Sequence, residues 1–290
     1  MRKEEIETLA GSGNLIVEGA MGLFDGAGVS GVGSSADLAK ILSLPVVLVI
    51  DSGKTAHSIA ALVQGFKSFD NHVTIAGVIL NRVASDRHLN MLSAALSKID
   101  VPLLGFMFKS NIFSLSERHL GLVQASENQN LEHWIDTVAE ALAPSLDLET
   151  LTELTSQPKL KAQENKKPPG QRIAVARDVA FEFSYPHHLR SWRLAGASIS
   201  FFSPVADEAV AKDADFIFLP GGYPELHAGQ IAAAQRFKSS IKGHAANDTP
   251  IYGECGGYMT LGDAIIDEHG VSHEMLGLLK LETSFADRKL

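Results

Sequence analysis

Residues 35–66 read SADLAKILSLPVVLVIDSGKTAHSIAALVQGF and decide the fold class of the first half of the chain. The central run PVVLVID (45–51) is apolar without in/out alternation, and the stretch on each side repeats apolar residues at i, i+3 and i+4 spacing. A strand without alternation is typical of a parallel sheet covered on both faces by helices. The stretch therefore predicts a helix–strand–helix unit of a doubly wound α/β sheet.

The same alternation extends in both directions from this stretch. Further strands are predicted at NLIVEG (14–19), VTIAGVILN (73–81) and VPLLGFMF (101–108), and later at RIAVA, ASISFFS, DFIFLP and PIYGE. Apolar density falls between the two groups of strands, where Lys, Gln and Pro accumulate. We therefore expect two α/β domains, 1–145 and 172–290, joined by a solvated linker, 146–171.

Composition limits the classes of function. The 290 residues are 45% apolar and 20% charged, with 25 glycines and a net charge of -9, and no Lys/Arg-rich patch stands out. An acidic chain without such a patch is not expected to bind nucleic acid, and no apolar stretch is long enough for a membrane span. The N-terminal run MRKEEIETLAGSG has mixed charge without an apolar signal region, and a single cysteine excludes an internal disulfide. We expect a cytoplasmic protein that acts on small molecules.

The segment IVEGAMGLFDG (16–26) contains two candidate metal ligands. Glu18 ends a predicted strand, and Asp25 follows seven residues later in a glycine-flanked loop. Ligands of open α/β sheets bind at this strand edge, and two carboxylates there could hold Mg²⁺ against phosphate oxygens. A capping acid and a turn acid explain the bare spacing equally well. The glycines favour the ligand site, because they allow close approach of the backbone.

The run SGKT (52–55) only partly matches a phosphate-binding loop. Such a loop requires a glycine five positions before Gly53, where this chain has Leu48. The motif GxxxxGK[ST] occurs nowhere in the 290 residues, so nucleotide use would have to proceed without it. At the end of GVILNRV, Asn81 could read an adenine edge through its amide or cap the next helix, and the sequence leaves both roles open.

Cys255 is the only cysteine and lies in TPIYGECGGYMTLGD (249–263), between a predicted strand and a predicted helix. A strand–sharp turn–helix arrangement framed by glycines is typical of a nucleophile elbow, whereas an unframed cysteine is more often an inert buried side chain. Upstream, FLPGGYPEL (218–226) presents Gly221 and Gly222 after a strand, where exposed backbone N–H groups could form an oxyanion hole.

A cysteine nucleophile usually needs a histidine as its proton acceptor. None of the 11 histidines stands at a convincing position. His269 and His273 follow Cys255 too closely for a further strand to return a base to it. His187 and His188 are adjacent at a helix start and point to different faces, so they are not expected to bind a metal together.

Six motifs, in this order, resemble the cobyrinate and hydrogenobyrinate a,c-diamide synthases. They are VEGAMGLFDG, SSADLAKILSLPVVLVIDSGKTAHSIAALVQGF, GVILNRVASDRHLNML, ERHLGLVQA, LPGGYPELHA and YGECGGYMTLG. The resemblance covers nearly the whole chain outside the predicted linker. It implies a P-loop-type domain similar to dethiobiotin synthetase, joined to a type 1 glutamine amidotransferase domain.

The resemblance also implies a reaction and its synthetase residues. ATP would activate a carboxylate of a corrinoid as an acyl phosphate, and ammonia from glutamine would displace the phosphate. By analogy with the family, Glu18 would bind Mg²⁺, Asp25 would lie near the substrate carboxylate and phosphate, and Asn81 would contact the adenine. ATP, glutamine and the corrinoid are thus the expected ligands, and the chain could associate as a homodimer.

In the amidotransferase half, the resemblance implies that Cys255 forms a glutamyl thioester and that Gly222 and Gly256 offer the oxyanion N–H groups. The chain departs from the family at FSYPHHL, where His187 and His188 replace the usual acid and asparagine. Members of the family also carry a phosphate loop ahead of the VEG strand and a later Gly-His-Glu-Phe-His-like strand, which supplies the cysteine's histidine. Neither run occurs here, so we expect a chain truncated at both ends with little or no synthetase activity of its own.

Two other functions remain open at this point. The first is a related amidotransferase such as cobyric acid synthase, although the pairing of GLFDG with ERHLGLV favours the a,c-diamide group. The second is a non-catalytic remnant that keeps only a corrinoid-binding surface. Substrate competition would separate the first alternative, and alkylation of Cys255 by a glutamine-mimicking electrophile would count against the second.

Overall fold

The computed structural model describes residues 13–20, 22–115, 117–118, 121–156 and 167–286. By its internal contacts the chain divides into two compact units, Arg2–Ala162 and Gln163–Leu290. Each unit has its own parallel sheet and its own buried core, so the predicted α/β class is confirmed. In the described part of the chain, no helix combines the length and the apolar character needed to cross a membrane.

The first unit is built from three strands and the helices around them. The elements are α1 (Ser35–Leu42), β1 (Val46–Asp51), α2 (Ser58–Phe69), β2 (Ile75–Val83), α3 (Asp86–Leu96) and β3 (Leu103–Phe108). The strands form a parallel sheet in the order β1-β2-β3. Its core includes side chains of α2, β2 and α3 with no exposed surface: Ile59, Val63, Val78, Leu80 and Leu92.

Side-chain hydrogen bonds cap the N-termini of α1 and α3. The Ser34 hydroxyl accepts from the Asp37 backbone N–H, and the Asp37 carboxylate accepts from the Ser34 backbone N–H, which forms a capping box for α1. The Ser85 hydroxyl accepts from the His88 backbone N–H at the start of α3. Both helices therefore start with backbone donors that have found acceptors.

The prediction of a strand at 14–19 is wrong. These residues are irregular, and Leu15 and Ile16 are 37% and 91% exposed. The segment is held near the start of α1 by the Ser35 hydroxyl, which donates to the Ala20 carbonyl oxygen. A strand requires a hydrogen-bonded neighbour, and none of the described strands pairs with this segment.

The first unit continues into the segment predicted as linker. After a short hairpin of β4 (Glu117–Arg118) and β5 (Gly121–Leu122) come α4 (Leu131–Leu142) and α5 (Leu148–Glu153). The Asp147 backbone N–H donates to the Leu104 carbonyl oxygen (2.8 Å), so residues at the start of the predicted 146–171 linker pack on β3. Residues 157–166 of that linker, and 119–120 of the ERHLGLVQA motif, lie outside the described residues.

The second unit contains a larger parallel sheet and a small mixed one. The elements are β6 (Arg172–Ala176), α6 (Pro186–Leu194), β7 (Ser198–Phe202), β8 (Phe216–Leu219), α7 (Ala228–Ala233), α8 (Gln235–Ala246), β9 (Ile251–Gly253), α9 (Gly256–Thr260), β10 (Ala264–Ile266), β11 (Ser272–Glu274) and β12 (Glu282–Ser284). The larger sheet has the order β7-β6-β8-β9 and the smaller β11-β10-β12. Phe181, Ile217 and Phe237 are fully buried between the larger sheet and its helices. Central strands β6 and β8 thus present their carboxyl ends to one edge, where the loops carrying Gly222 and Cys255 begin.

Candidate functional site

Cys255 occupies a sharp turn between β9 and α9. Its backbone has φ 47° and ψ −116°, a conformation that residues with a Cβ rarely adopt. The Glu254 backbone N–H donates to the Leu219 carbonyl oxygen (3.1 Å), so pairing with β8 continues up to the residue before the thiol. The thiol is exposed, which argues against an inert buried cysteine. The geometry is that of a nucleophile elbow.

Glycines next to Cys255 are required by crowding of the backbone. A Cβ at Gly257 would overlap the Leu219 carbonyl oxygen, and a Cβ at Gly256 would lie 2.6 Å from Cδ of Pro224. Contacts of this length would force the backbone apart. The sequence Cys-Gly-Gly therefore lets α9 begin directly against β8 and the turn that follows it, and this packing holds Cys255 in its unusual conformation.

The turn after β8 packs against the elbow. A Cβ at Gly221 would lie 3.1 Å from Cβ of Cys255, and the Gly222 carbonyl oxygen lies 3.0 Å from the Cβ position of Gly256. The Phe183 backbone N–H donates to the Gly221 carbonyl oxygen (3.0 Å) and ties this turn to the loop after β6. The structure therefore brings Cys255, Gly222 and Gly256 together, while the oxyanion role of the two glycines stays a prediction.

Three histidines of the second unit have side-chain partners other than the thiol. His227, His244 and His273 contact Gln230, Thr249 and Asp267, respectively. The rings of His187 and His188 lie tilted against the ring of Tyr185, with centroids 5.7 Å and 5.3 Å away. None of these contacts joins a histidine to Cys255, so they do not identify the proton acceptor of the thiol.

His273 and Asp267 form a close acid–imidazole pair in this unit. His273 Nε2 lies 2.8 Å from Asp267 Oδ2, and their side chains are 19% and 21% exposed. The hydrogen bond from His273 lowers the pKa of Asp267, and bonds from the backbone N–H groups of Val271 and His269 act in the same direction. The His273 ring also lies 3.6 Å from the Cβ position of Gly229. The pair therefore links the turn between β10 and β11 to β11 itself, and its imidazole packs on α7.

Tyr252 and Glu254 form a polar contact on the strand that leads to the thiol. The Tyr252 hydroxyl donates to Glu254 Oε2 over 3.4 Å, and the negative charge of Glu254 raises the pKa of Tyr252. Burial and the hydrogen bond to Glu254 raise the pKa of Tyr252 further. The elbow is therefore bordered by aromatic and acidic side chains that sequence patterns did not associate with it.

The predicted synthetase residues lie in three separate places of the first unit. Glu18 is exposed in the irregular segment before α1. Asp25 is exposed in a tight turn, where its backbone N–H donates to the Gly22 carbonyl oxygen (3.0 Å) and Gly22 has φ 84°. Asn81 lies at the end of β2, opposite Asp51 of β1. No hydrogen bond between described residues links these three side chains.

Glu18 and Asp25 could bind Mg²⁺ only if a nucleotide supplied phosphate oxygens as further ligands. No cluster of three or more His, Cys, Asp or Glu side chains that could hold a metal occurs among the described residues. Mg²⁺ is commonly held by one or two protein carboxylates, with water and phosphate oxygens completing its shell. The exposed carboxylates of Glu18 and Asp25 fit that donor chemistry, and their roles stay predictions.

Arg82, next to Asn81, has a backbone that the sequence pattern did not reveal. Leu80 and Val83 of β2 face Phe106 and Phe108 of β3, so two residues of β2 oppose one of β3 in a bulge. Arg82 has φ 61° within this bulge. The left-handed conformation costs a residue with a Cβ about 1–2 kcal/mol.

The bulge directs Arg82 towards Asp51. Nη1 of Arg82 lies 3.0 Å from Asp51 Oδ2, with the two side chains 54% and 56% exposed. The other oxygen of Asp51 accepts from the Gly53 backbone N–H (2.9 Å). An ion pair this exposed stabilises a fold by about 0.2–1 kcal/mol. The pair therefore offsets the backbone strain of Arg82 in part at most.

Comparison with known proteins matches both halves of the chain to family models. Residues 172–290 match the CobB/CobQ-like glutamine amidotransferase domain, and residues 1–107 match an AAA domain. The second match includes the candidate synthetase residues and the first includes Cys255.

Curated relatives match over 95% or more of the chain. A hydrogenobyrinate a,c-diamide synthase of Brucella anthropi is 53% identical, and the match covers 100% of this chain and 69% of the relative. The enzyme of the same name from Brucella abortus is 54% identical with the same coverage. That from Rhizobium meliloti is 50% identical over 95% of this chain and 64% of its own length.

Proposed function

Because the chain belongs to the hydrogenobyrinate a,c-diamide synthase family, we propose that it serves the glutamine-dependent amidation of the a and c carboxylates of hydrogenobyrinate in cobalamin biosynthesis. The observation that carries the proposal for this chain is the exposed Cys255, held at φ 47° and ψ −116° against the Gly221–Gly222 turn. A strained and accessible thiol next to two backbone turns suits nucleophilic attack on an amide.

In the amidotransferase half, the Cys255 thiolate attacks the side-chain amide carbon of glutamine. The carbonyl oxygen becomes an oxyanion, which the backbone N–H groups of Gly222 and Gly256 stabilise. Collapse of this intermediate breaks the C–N bond, and with one proton added the nitrogen leaves as ammonia. Water then hydrolyses the thioester to glutamate and restores the thiol.

In the synthetase half, a corrinoid carboxylate attacks the γ-phosphorus of ATP and ADP leaves. The product is an acyl phosphate, whose carbonyl carbon ammonia attacks, so that an amide forms and inorganic phosphate leaves. Glu18 would hold Mg²⁺ at the phosphates and Asp25 would lie beside the reacting carboxylate. Asn81, at the carboxyl end of β2, would contact the adenine.

A glutamine-mimicking electrophile such as 6-diazo-5-oxo-L-norleucine tests the amidotransferase assignment on the 290-residue chain. We expect one adduct, located at Cys255 by peptide mass spectrometry, absent from Cys255→Ala and slowed by excess glutamine. Iodoacetamide serves as the control for simple thiol access. If glutamine does not protect Cys255 from the analogue, the thiol is reactive without a glutamine site and the proposal is wrong.

The substrate assignment has its own test. We expect the chain to bind hydrogenobyrinate. Added hydrogenobyrinate should compete for that site, whereas the later intermediates that cobyric acid synthase uses should not. Tighter binding of the diamidated corrin than of hydrogenobyrinate would move the chain to the cobyric acid synthase group. Binding of the corrin without reaction of Cys255 would instead support a non-catalytic role.

Cysteine content and net charge bear on the location and the partners of the protein. We infer a cytoplasmic location, since one cysteine cannot form the internal disulfides common in exported proteins. The acidic charge of -9 argues against nucleic acid as a partner. A homodimer is the assembly we propose, and light scattering of the purified chain would test it.

A further inference from the structure

The bulge at the end of β2 determines where Arg82 points. Two β2 residues, Asn81 and Arg82, stand opposite the single β3 residue between Phe106 and Phe108, and Arg82 has φ 61°. A bulge re-aims the side chain that it carries, and bulges are frequent beside active sites. Glycine would occupy the same backbone conformation without strain. The position therefore carries an arginine at a cost to the backbone.

The guanidinium reaches the carboxyl edge of the sheet. Its Nη1 lies 3.0 Å from Asp51 Oδ2, and its Nε lies 3.6 Å from the Cβ position of Gly53, so the side chain lies over the loop that follows β1. Asp51 is fixed in turn, because its other oxygen accepts from the Gly53 backbone N–H. Arg82 is thus positioned at the edge where open parallel sheets bind their ligands.

The ion pair alone does not account for the arginine. Both side chains are more than half exposed, and such pairs contribute little to folding. We infer that Arg82 is an anion-binding residue of the synthetase half, which takes a carboxylate or phosphate oxygen of a substrate. The inference rests on the proposed function, since that function supplies the anionic ligands.

The surrounding groups fit an oxyanion. A guanidinium has five N–H donors in a plane, and the bond to Asp51 uses one of them, so the same group can also contact a ligand oxygen. Lys54 is exposed two positions after Ser52, whose hydroxyl donates to the Asn81 carbonyl oxygen (2.7 Å). Asp51 is the competing anion, and a ligand would share or displace its contact with Arg82.

Equilibrium binding of two probes to the 290-residue chain tests the inference. Hydrogenobyrinate is titrated by its visible absorption and ATP with Mg²⁺ by calorimetry. For Arg82→Gly we expect an unchanged or higher melting temperature and at least tenfold weaker binding of one probe. Weakening confined to ATP identifies a phosphate as the bound oxyanion, and weakening confined to hydrogenobyrinate identifies a carboxylate.

Three further variants separate ligand binding from a structural role. Arg82→Lys keeps the charge without the planar fork and should show an intermediate loss. Asp51→Asn removes the competing carboxylate and should bind the same probe as tightly as the unmodified chain or more tightly, whereas a purely structural ion pair predicts losses from both partners. Lys98→Ala removes an exposed charge ahead of β3, at the opposite edge of the sheet, and should change binding less than twofold.

Two results would overturn the inference while leaving the proposed function intact. One is binding of both probes by Arg82→Gly within twofold of the unmodified chain. The other is a lower melting temperature for Arg82→Gly together with equal binding losses in Asp51→Asn, which would make the pair structural. Failure of the unmodified chain to bind either probe would refute the proposed function of the synthetase half and the inference with it.

Discussion

Replacing Cys255 by glycine should stabilise the second unit relative to replacing it by alanine. Alanine removes the sulphur but keeps a Cβ at φ 47° and ψ −116°, whereas glycine adopts this conformation without steric strain. A residue held in such a sparsely populated region costs of order 1–3 kcal/mol. Glycine also makes the unfolded chain more flexible, which costs about 0.4–1 kcal/mol. The strain relieved in the folded state exceeds the cost from the more flexible unfolded chain, so Cys255→Gly should be more stable than Cys255→Ala by about 1 kcal/mol.

Thermal unfolding can resolve this difference. For a unit of this size, about 1 kcal/mol shifts the melting temperature by about 3–5 °C. Trp192 packs edge-on against Phe218 in the second unit and reports on it by fluorescence, provided that Trp134 of the first unit is changed to Phe in all variants. We expect Cys255→Gly to have a higher melting temperature than Cys255→Ala.

The comparison with alanine is the matched control, because both variants lack the thiol. If Cys255→Gly melts at or below Cys255→Ala, the turn stores no strain and the elbow geometry does not constrain the backbone as described. Equal melting temperatures of the unmodified chain and Cys255→Ala would further show that the exposed sulphur contributes little to packing.

Two other predictions concern packing and pH. Gly257→Ala forces a methyl group into a backbone carbonyl of β8 and should cost more than about 3 kcal/mol or prevent folding of the second unit, whereas Gly243→Ala in α8 meets no atom within 4 Å and should stabilise by about 0.5–1 kcal/mol in urea unfolding. The pKa of Asp70 is lowered from 3.8 to about 2, and the largest cause is the hydrogen bond that its carboxylate accepts from the His72 backbone N–H. A lowered carboxyl pKa stabilises the fold above the unfolded value and loses that effect as pH falls from about 4 towards about 2. Asp70→Asn should therefore flatten the dependence of the melting temperature on pH in that range. A steeper dependence for Asp70→Asn than for the unmodified chain would contradict the assignment.

Much of the fold follows from local patterns. The apolar runs at 45–51, 73–81 and 101–108 became β1, β2 and β3, because strands covered on both faces need continuous apolar side chains. The run at 14–19 also contains consecutive apolar residues, Leu15 to Val17, and is irregular. Composition specifies that a segment can be a strand, and only a neighbouring strand with free backbone groups makes it one.

The sequence by itself also determined the elements of the candidate site in the second half. Glycines around Cys255 indicated a sharp strand-to-helix turn, since spacing and residue size are local properties. What the tertiary structure decided is the approach of the Gly221–Gly222 turn to Cys255 and the hydrogen bond between Asp267 and His273. These contacts depend on the order of strands in the sheet and on how loops from different strands meet.

Arg82 shows the same division most clearly. Its neighbour Asn81 could be located at a strand end from the sequence, whereas nothing in GVILNRV indicated a left-handed residue or an ion pair with Asp51. The bulge arises from the register between β2 and β3, and the partner lies on β1, 31 residues earlier. The sequence determined which chemical groups the chain carries at its strand ends. Only the pairing of three strands decided where the guanidinium points, because register and backbone strain are set by non-local contacts.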